Sequence, residues 1–462
     1  MTRRCGRHAV VLGAGMAGLL AARVLSDAYT AVTVVDRDTL TGVTDPRRGV
    51  PQGRQVHGLL ARGQQIIEEL FPGLTEEMVS DGANLGDVAG DLRWYINGVR
   101  LRRSRSGLNT LTSSRPFLES HVRARVQALP NVEFLERRDI IRLSATEDRS
   151  RIDGVVVADR DGAEELIEAD LVLDASGRGS RTSARLVELG YPQVEEERRK
   201  IGLGYTTRHY RMRTDPYRGD IAINIMASAA LPRGAIAAKV DGDRTVVTAY
   251  GILGDHPPAD PEGFHDFIAS VAAPDIHDAL QDAEPLDDPV AYRFPVSLRR
   301  RYERMPRFPR GLLLMGDAVS SLNPSYAQGM TVSALEAVTL RRHLSRGREP
   351  EPLPYLRDLA ADAIDRVWEL MIGSDLAYPG VEGERTPAIR FGHTYVGLVQ
   401  RAGTRDPVVA DAFLRVIALV EPSESLMRPA LMLRVLRHVL GGSSARPAAG
   451  RPGAVKRGAP TP

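Results

Sequence analysis

The sequence predicts an α/β protein: a Rossmann-like dinucleotide-binding domain, an interleaved antiparallel-sheet domain and a helical C-terminal part. Three observations carry that expectation. Residues 8–38 (HAVVLGAGMAGLLAARVLSDAYTAVTVVDRD) read as a buried strand, a glycine turn, an alanine-rich helix and a second strand ending at Asp36. Residues 201–253 alternate apolar and polar positions, as in IAINIMAS (221–228) and RTVVTAYGIL (244–253), the pattern of an antiparallel sheet with one exposed face. GLLLMGD (311–317) then returns to the buried-strand type, followed by a Pro/Gly loop and a helix from about Met330 to Leu344.

The remaining elements follow in chain order. Residues 84–110 read as strands with a tip at Asn97-Gly98, and Ser114 to Leu129 has helical periodicity ahead of a strand at Val132–Leu135. A hairpin (143–168) leads to ADLVLDASG (169–177), another buried strand entering a glycine turn. A segment around 345–354 rich in Arg, Glu and Pro separates the body from a mostly helical end. The Gly/Pro/Ala/Arg-rich residues 441–462 are expected to be disordered.

Composition narrows the function. At 462 residues the chain exceeds a single core, so two to three domains are expected. Cys5 is the only cysteine, which excludes a disulfide framework and a Cys-based zinc site and fits a reducing compartment. Residues 425–462 hold seven bases and no acid, leaving 54 bases against 59 acids elsewhere, so the body advertises no nucleic-acid partner. Only three lysines occur against 58 arginines, which makes arginine a weak marker of phosphate binding here. Arg3 and Arg4 ahead of an apolar stretch imitate a twin-arginine signal, but Arg23 and Asp27 interrupt it. No run is long enough to cross a membrane, and a cytoplasmic protein is expected. No HExxH, clustered histidines or GxSxG elbow is present, so no metal site and no serine hydrolase is expected.

GAGMAG (13–18) is GxGxxG placed after a strand and opening a helix, with Asp36 23 residues beyond Gly13. Gly13 makes the tight turn, Gly15 admits a pyrophosphate to the helix N-terminus, Gly18 permits close helix–strand packing, and Asp36 accepts ribose hydroxyls. By itself the motif does not choose between NAD and FAD. GLLLMGDAVSSLNPSYAQGM (311–330) adds Asp317 after a buried strand and, 12 residues on, a helix start at Gly329–Met330 whose N–H groups suit a delocalised anion.

With those motifs in order, the chain resembles the flavoprotein monooxygenases of the p-hydroxybenzoate hydroxylase superfamily. GAGMAG, SSRPFLESHVRARV (113–126) and GDAVSSLNPSYAQGM (316–330) follow that family's order, and RRGVPQGRQVHGLLARG (47–63) resembles bacterial flavin-dependent epoxidases and hydroxylases that tailor antibiotic polyketides. The resemblance implies a discontinuous FAD-binding domain (1–84, 109–190, 297–345), a substrate-binding β-sheet domain (85–108, 191–296), a helical region (346–440) and the tail. It implies non-covalent FAD held by Gly13, Gly15, Gly18, Asp36, Arg37, Arg47, Arg115, Asp317, Gly329 and Met330. In that scheme Gly329 and Met330 lie at the flavin N1–C2=O edge.

Two departures stand out. DASGRGSRTSAR (174–185) has Ser176 where the family places an aspartate associated with NADPH handling, so the electron source is either NADPH or a separate flavin reductase or ferredoxin system. Ser320 replaces a common histidine and Ala327 a common glycine. The tryptophan-halogenase signature WxWxIP is absent, Trp94 and Trp368 being isolated.

The implied activity is insertion of one oxygen atom from O₂ through a flavin C4a-hydroperoxide, epoxidising alkenes of a polyketide or terpenoid intermediate beneath an apolar wall of the second domain. Aromatic hydroxylation, a dehydrogenase or reductase without oxygen insertion, and a non-catalytic flavin sensor are the alternatives. No catalytic acid or base is named. The basic helix 428–440 is read as docking onto the body, with Arg434, Arg437 and His438 on one side and leucines on the other.

Overall fold

The computed structural model describes residues 4–440; Arg3 of the twin-arginine reading and the tail expected to be disordered lie outside the described residues. The strands Gly6–Leu12, Tyr29–Asp36, Val132–Glu136, Leu171–Asp174 and Leu312–Leu314 form a five-stranded parallel sheet in the order 312–171–6–29–132. Their near-continuous apolar runs are what a sheet buried on both faces requires. Helices Met16–Ser26, Arg115–Gln127 and Gly329–Leu344 contribute Leu19, Leu20, Val122, Ala334 and Leu340 to its core. Val155 and Val157 of a three-stranded antiparallel sheet (139–168) join the same core.

The second sheet has nine strands, with the long strand Glu196–Arg211 pairing with Val290–Arg300 on one side and Arg244–Gly251 on the other. Its far edge includes Leu92–Ile96, which turns through Asn97 (φ +50°) and Gly98 (φ +75°) into Val99–Arg100, the hairpin tip that Asn-Gly predicts. The expected exposed face is not there. Ile223, Ile225, Val247 and Ala249 pack against Phe264, Phe267, Ile268 and Ile276 of two helices (Pro261–Ala269 and Asp275–Leu280) that the alternating pattern gave no sign of. On the opposite face Thr207, Thr248 and Tyr205 are also among the buried residues.

The two sheets are clipped together beside the cleft. Ser320–Ser321, just past Asp317, pairs with Leu298–Arg299 at the second sheet's edge. Asp241, in the turn between strands 233–240 and 244–251, accepts the Ser114 N–H at 2.6 Å where the Arg115 helix starts.

The C-terminal helices divide between both cores. Tyr355, Leu356, Leu359, Trp368 and Met371 complete the parallel-sheet core, whereas Val399, Val409, Leu414 and Val435 pack with Trp94 and Leu101. The last helix (Pro429–Leu440) docks as expected, but its sides are not divided as expected: Arg434 and His438 both reach Asp406, at 2.7 and 3.1 Å, while Leu433 and Leu436 are exposed. A carboxylate on the neighbouring helix outbids the leucines for that face. No helix among the described residues is long and apolar enough to cross a membrane.

Candidate functional site

Local sequence explains how the glycine turn presents an open helix end. Gly13 sits at φ +98°, and a Cβ there would meet the Ala175 carbonyl oxygen at 2.6 Å. A Cβ at Gly18 would lie 1.8 Å from the Gly13 carbonyl oxygen, so helix and strand approach as closely as a glycine allows. Gly15 differs: a Cβ there would meet nothing within 4 Å. Gly15 is also the N-cap of Met16–Ser26, with no side-chain cap and no acid in the first turn, so the first N–H groups face that open direction.

Asp36 closes the turn from the next strand. Its carboxylate accepts the Ala14 N–H at 2.7 Å and the Asp38 N–H at 2.9 Å. Arg37 beside it is exposed.

Arg47 is neither a solvated loop arginine nor a free donor. Its five N–H donors are all used: Nε and Nη2 on Glu119 at 2.8 and 2.6 Å, Nη2 also on the Ala14 carbonyl at 3.1 Å, and Nη1 on Asp38 and Asp36 at 3.0 and 3.5 Å. It braces the glycine turn from behind. Arg115, 7% exposed, reaches the other Glu119 oxygen at 3.2 Å, and Arg123 reaches Glu119 at 3.5 Å. Burial alone would push the Glu119 carboxyl up, but Arg115 and Arg47 bring it below the ordinary glutamate range. Glu119 was missed in the sequence, although its place four residues after Arg115 on one helix face was a readable signal.

The second motif meets the first. Gly316 (φ +68°) lies so close to the first helix that a Cβ would meet the Ala17 Cβ at 2.7 Å, which sets Asp317 beside the Gly15 helix end. Asp317 keeps part of its surface accessible, yet burial pushes its carboxyl up, and Ser321, Arg178, Arg115 and Arg300 pull the other way. The buried Glu336 holds this turn from beneath by accepting the Gly316 N–H at 2.7 Å, and burial pushes its carboxyl up to about 8.

Gly329 and Met330 begin the next helix with no side-chain cap, and a Cβ at Gly329 would also meet nothing within 4 Å. Ala327 before it is left-handed (φ +55°), the conformation that explains why a glycine is usual there. Buried Ser320 Oγ and Gln328 Oε1 lack hydrogen-bond partners among the described residues.

Ser176 turns inward. Its hydroxyl and N–H both go to Asp174 Oδ1, at 2.5 and 2.9 Å, while Ser180 and Thr182 hydroxyls take Oδ2. The glycine turn therefore has a fully buried carboxylate occupied by one backbone N–H and three hydroxyls of the turn and the helix start that follows.

Across the cleft stands the second sheet. Tyr250, Tyr205 and Tyr292 are register partners on adjacent strands, so they share one face, and the Tyr205 and Tyr292 ring centroids lie 5.4 Å apart. Thr207 and Thr248 continue that face at 2.6 Å from each other. The wall is thus aromatic and hydroxyl-bearing, not purely apolar as expected, because the polar half of the alternation is the half turned inward. Gln55 ties to it through Thr207 and the Val290 carbonyl. Two residues on, His57 offers its Nδ1 to the Gln55 carbonyl at 2.9 Å; burial and then Arg115 push its imidazole down to about 4. His57 is accordingly neutral at physiological pH. No group of residues that could hold a metal ion is found among the described residues.

The comparisons with known proteins agree with this arrangement. The family described as an FAD binding domain matches residues 7–347. Protein Rv3254 of Mycobacterium tuberculosis (strain ATCC 25618 / H37Rv) is 33% identical over 463 residues, covering 95% of this chain and 96% of that protein. Among solved structures, the flavin-dependent brominase Bmp2 superposes with a TM-score of 0.65 at 14% identity, covering 95% of this chain and 100% of its own. The p-nitrophenol 4-monooxygenase PnpA from Pseudomonas putida DLL-E4 gives 0.63 at 16% identity, covering 90% and 98%. At such identities the structural likeness establishes the fold.

Proposed function

The chain belongs to the FAD binding domain family, and we propose that it is an FAD-dependent monooxygenase placing one oxygen atom from O₂ on a hydrophobic small molecule. The favoured target is an alkene of a polyketide or terpenoid intermediate, as the 47–63 segment suggests. The residues fit the cofactor. Gly15 and Gly329 are cradles that a Cβ would fill, each at an uncapped helix end, and buried Ser320 Oγ and Gln328 Oε1, in the motif that leads to Gly329, lack partners among the described residues.

FAD, when bound and reduced, supplies the oxygen-activating chemistry. The chain's residues bind, orient and exclude water. In this reading the Gly13–Gly18 turn holds the pyrophosphate, Asp36 the ribose, Asp317 the ribityl chain and Gly329–Met330 the ring edge, with Arg115 reaching in and Arg37 at the adenosine end. Arg47 acts through the backbone it braces. His57 contributes a neutral imidazole, and the Tyr205–Tyr250–Tyr292 face shields the reacting centre from water.

The observation that carries the reading is the pair of open, uncapped glycine helix ends, with Tyr205 and Tyr292 of the second sheet close enough to Asp317 for its charge to act on them. The same row of phenols favours aromatic hydroxylation as the second reading, because adjacent aromatic rings and hydroxyls suit a planar phenolic substrate. Electrons come from NADPH or a separate reductase; the inward-turned Ser176 favours the reductase. The test is turnover under isotopically labelled dioxygen. One labelled atom in the product supports the proposal, whereas a product that only gains or loses hydrogen moves the protein to the dehydrogenases or reductases.

A further inference from the structure

We propose that Asp375 is a positioning residue of the cofactor cleft, acting from the C-terminal helices through Asn323 and Tyr326 on the loop that leads into the Gly329 helix. The proposal rests on the FAD reading above, but Asp375 itself lies outside the family match at 7–347.

Asp375 ends the helix Asp365–Asp375 and is 2% exposed. Its Oδ1 accepts two hydrogen bonds, from Asn323 Nδ2 at 2.9 Å and from the Tyr326 hydroxyl at 2.8 Å. Asn323 is itself the hinge of the loop: its Oδ1 accepts the Ser325 N–H at 3.0 Å and the Ser325 hydroxyl at 2.7 Å, capping the turn Pro324–Tyr326. Met371, one turn earlier on the Asp375 helix, accepts the Asn323 N–H on its sulfur at 3.3 Å. The next residue after the turn is the left-handed Ala327, a conformation that persists only where its surroundings over-determine it. Asp375 and Met371 hold the turn immediately before it, through Asn323 and Tyr326. After Gln328 the chain enters the uncapped helix end, so an error of placement at Asn323 or Tyr326 is passed to the Gly329 and Met330 amides.

Stability alone gives little reason for a carboxylate here. Asp375 Oδ2 is buried with no partner, and an orphaned acceptor of that kind is costly. The groups that act on it are Tyr326 and Asn323 on the loop, its own charge reaches Tyr378 just beyond its helix, Tyr250 of the second sheet acts in turn on Tyr326 and Tyr378, and no cation is among the groups that act on it. Burial pushes the carboxyl up to about 6, with the Tyr326 and Asn323 hydrogen bonds working against that rise. Above that pH the two accepted bonds are charge-assisted; below it they weaken and the loop loosens.

The test uses the FAD-loaded protein with sulfite as the probe. Sulfite adds to an oxidised flavin ring, and the adduct is held by positive electrostatics at the ring edge, so its dissociation constant reads the helix end without any knowledge of the substrate. Asp375→Asn keeps a carbonyl for both donors, whereas Asp375→Leu keeps the volume and removes the acceptor. The Leu variant is expected to bind FAD but to weaken the adduct by about tenfold or more, as loss of hydrogen bonds to a charged group implies. The Asn variant should stay within about threefold of wild type near neutral pH and lack the wild-type change centred near pH 6.

Leu and wild-type proteins with equal sulfite affinity would overturn the proposal, as would an Asn variant as defective as Leu. Should the Leu variant not fold, Asn323→Ala and Tyr326→Phe each remove one of the two bonds, and both retaining wild-type affinity would overturn it equally. A wild type that refuses FAD would sink the cofactor reading itself, an outcome visible before any sulfite is added.

Discussion

Replacing Glu119 with leucine should cost the protein more than any other single change in the arginine cluster. The carboxylate takes Arg47 at 2.6 and 2.8 Å, Arg115 at 3.2 and 3.3 Å and Arg123 at 3.5 Å, with all four side chains under a tenth exposed. Removing one partner of a buried ion pair costs about 3–5 kcal/mol, chiefly because the remaining charge is stranded. Arg47 keeps Asp38, Asp36 and the Ala14 carbonyl, so the strain falls on Arg115, and the lower end, about 3 kcal/mol, is expected. At roughly 2–4 °C per kcal/mol for a domain of 150–250 residues, the melting temperature should fall by roughly 6–12 °C.

The assay is thermal unfolding of the FAD-free protein, since bound cofactor would add its own stabilisation. The sign of the pH dependence follows from the lowered carboxyl. A carboxylate held below its ordinary range stabilises fully above that range and loses the contribution as pH falls through its lowered value. The gap between wild type and variant should therefore be complete near neutrality and close in acid. A Leu variant melting within about 2 °C of wild type at pH 7 would refute the reasoning.

Glu336→Gln should act oppositely. A carboxyl pushed up to about 8 destabilises the fold progressively as pH rises past the ordinary glutamate value, so the Gln variant should be more stable than wild type at pH 9, by a margin on the order of 4 kcal/mol, and nearly equal to it at pH 5. Unfolding measured at both pH values checks this, and a variant equally impaired at both would contradict it. The inward-facing Ser176 predicts that NADPH alone reduces the bound flavin slowly while an added flavin reductase supports turnover; stopped-flow reduction by NADPH on the scale of ordinary kcat values, about 1–10³ s⁻¹, would contradict it.

The parts of this protein that were legible in the sequence are those where one local rule decides. GAGMAG needs glycine at positions 13 and 18 because the backbone conformation or the packing forbids a side chain there, Gly15 instead leaves open space at the helix end, and Asn97-Gly98 makes a turn that few other pairs can make. Alternation in 201–253 identified the sheet but not that both halves of the pattern are covered, since Thr and Tyr are as much at home in the interior as on a surface. The two helices that cover one face start at Pro261 and Asp275, beyond the strand that ends at Gly251, and carry no signal tying them to it. Beyond the Arg115–Glu119 spacing, Glu119, His57 and Asp375 matter through partners 49–72 residues away in the chain, and such pairings depend on tertiary packing that periodicity does not encode. Arg47 shows the same limit: its loop position was readable, its full engagement was not.

The glycine turn gives the most direct measurement on the central claim, that this cleft is built to hold FAD. FAD titration should be run on wild type, Gly15→Val and Gly18→Ala, with circular dichroism on each. A side chain at Gly15 meets nothing in the protein, so the Val variant should fold and melt like wild type yet fail to take up FAD, whereas Gly18→Ala, forced against the Gly13 carbonyl oxygen, should lose stability whether or not FAD is present. The account predicts a yellow wild type binding FAD non-covalently beside a folded, colourless Gly15→Val. A Gly15→Val protein that binds FAD as tightly as wild type, or a wild type that binds NAD and refuses FAD, would contradict it.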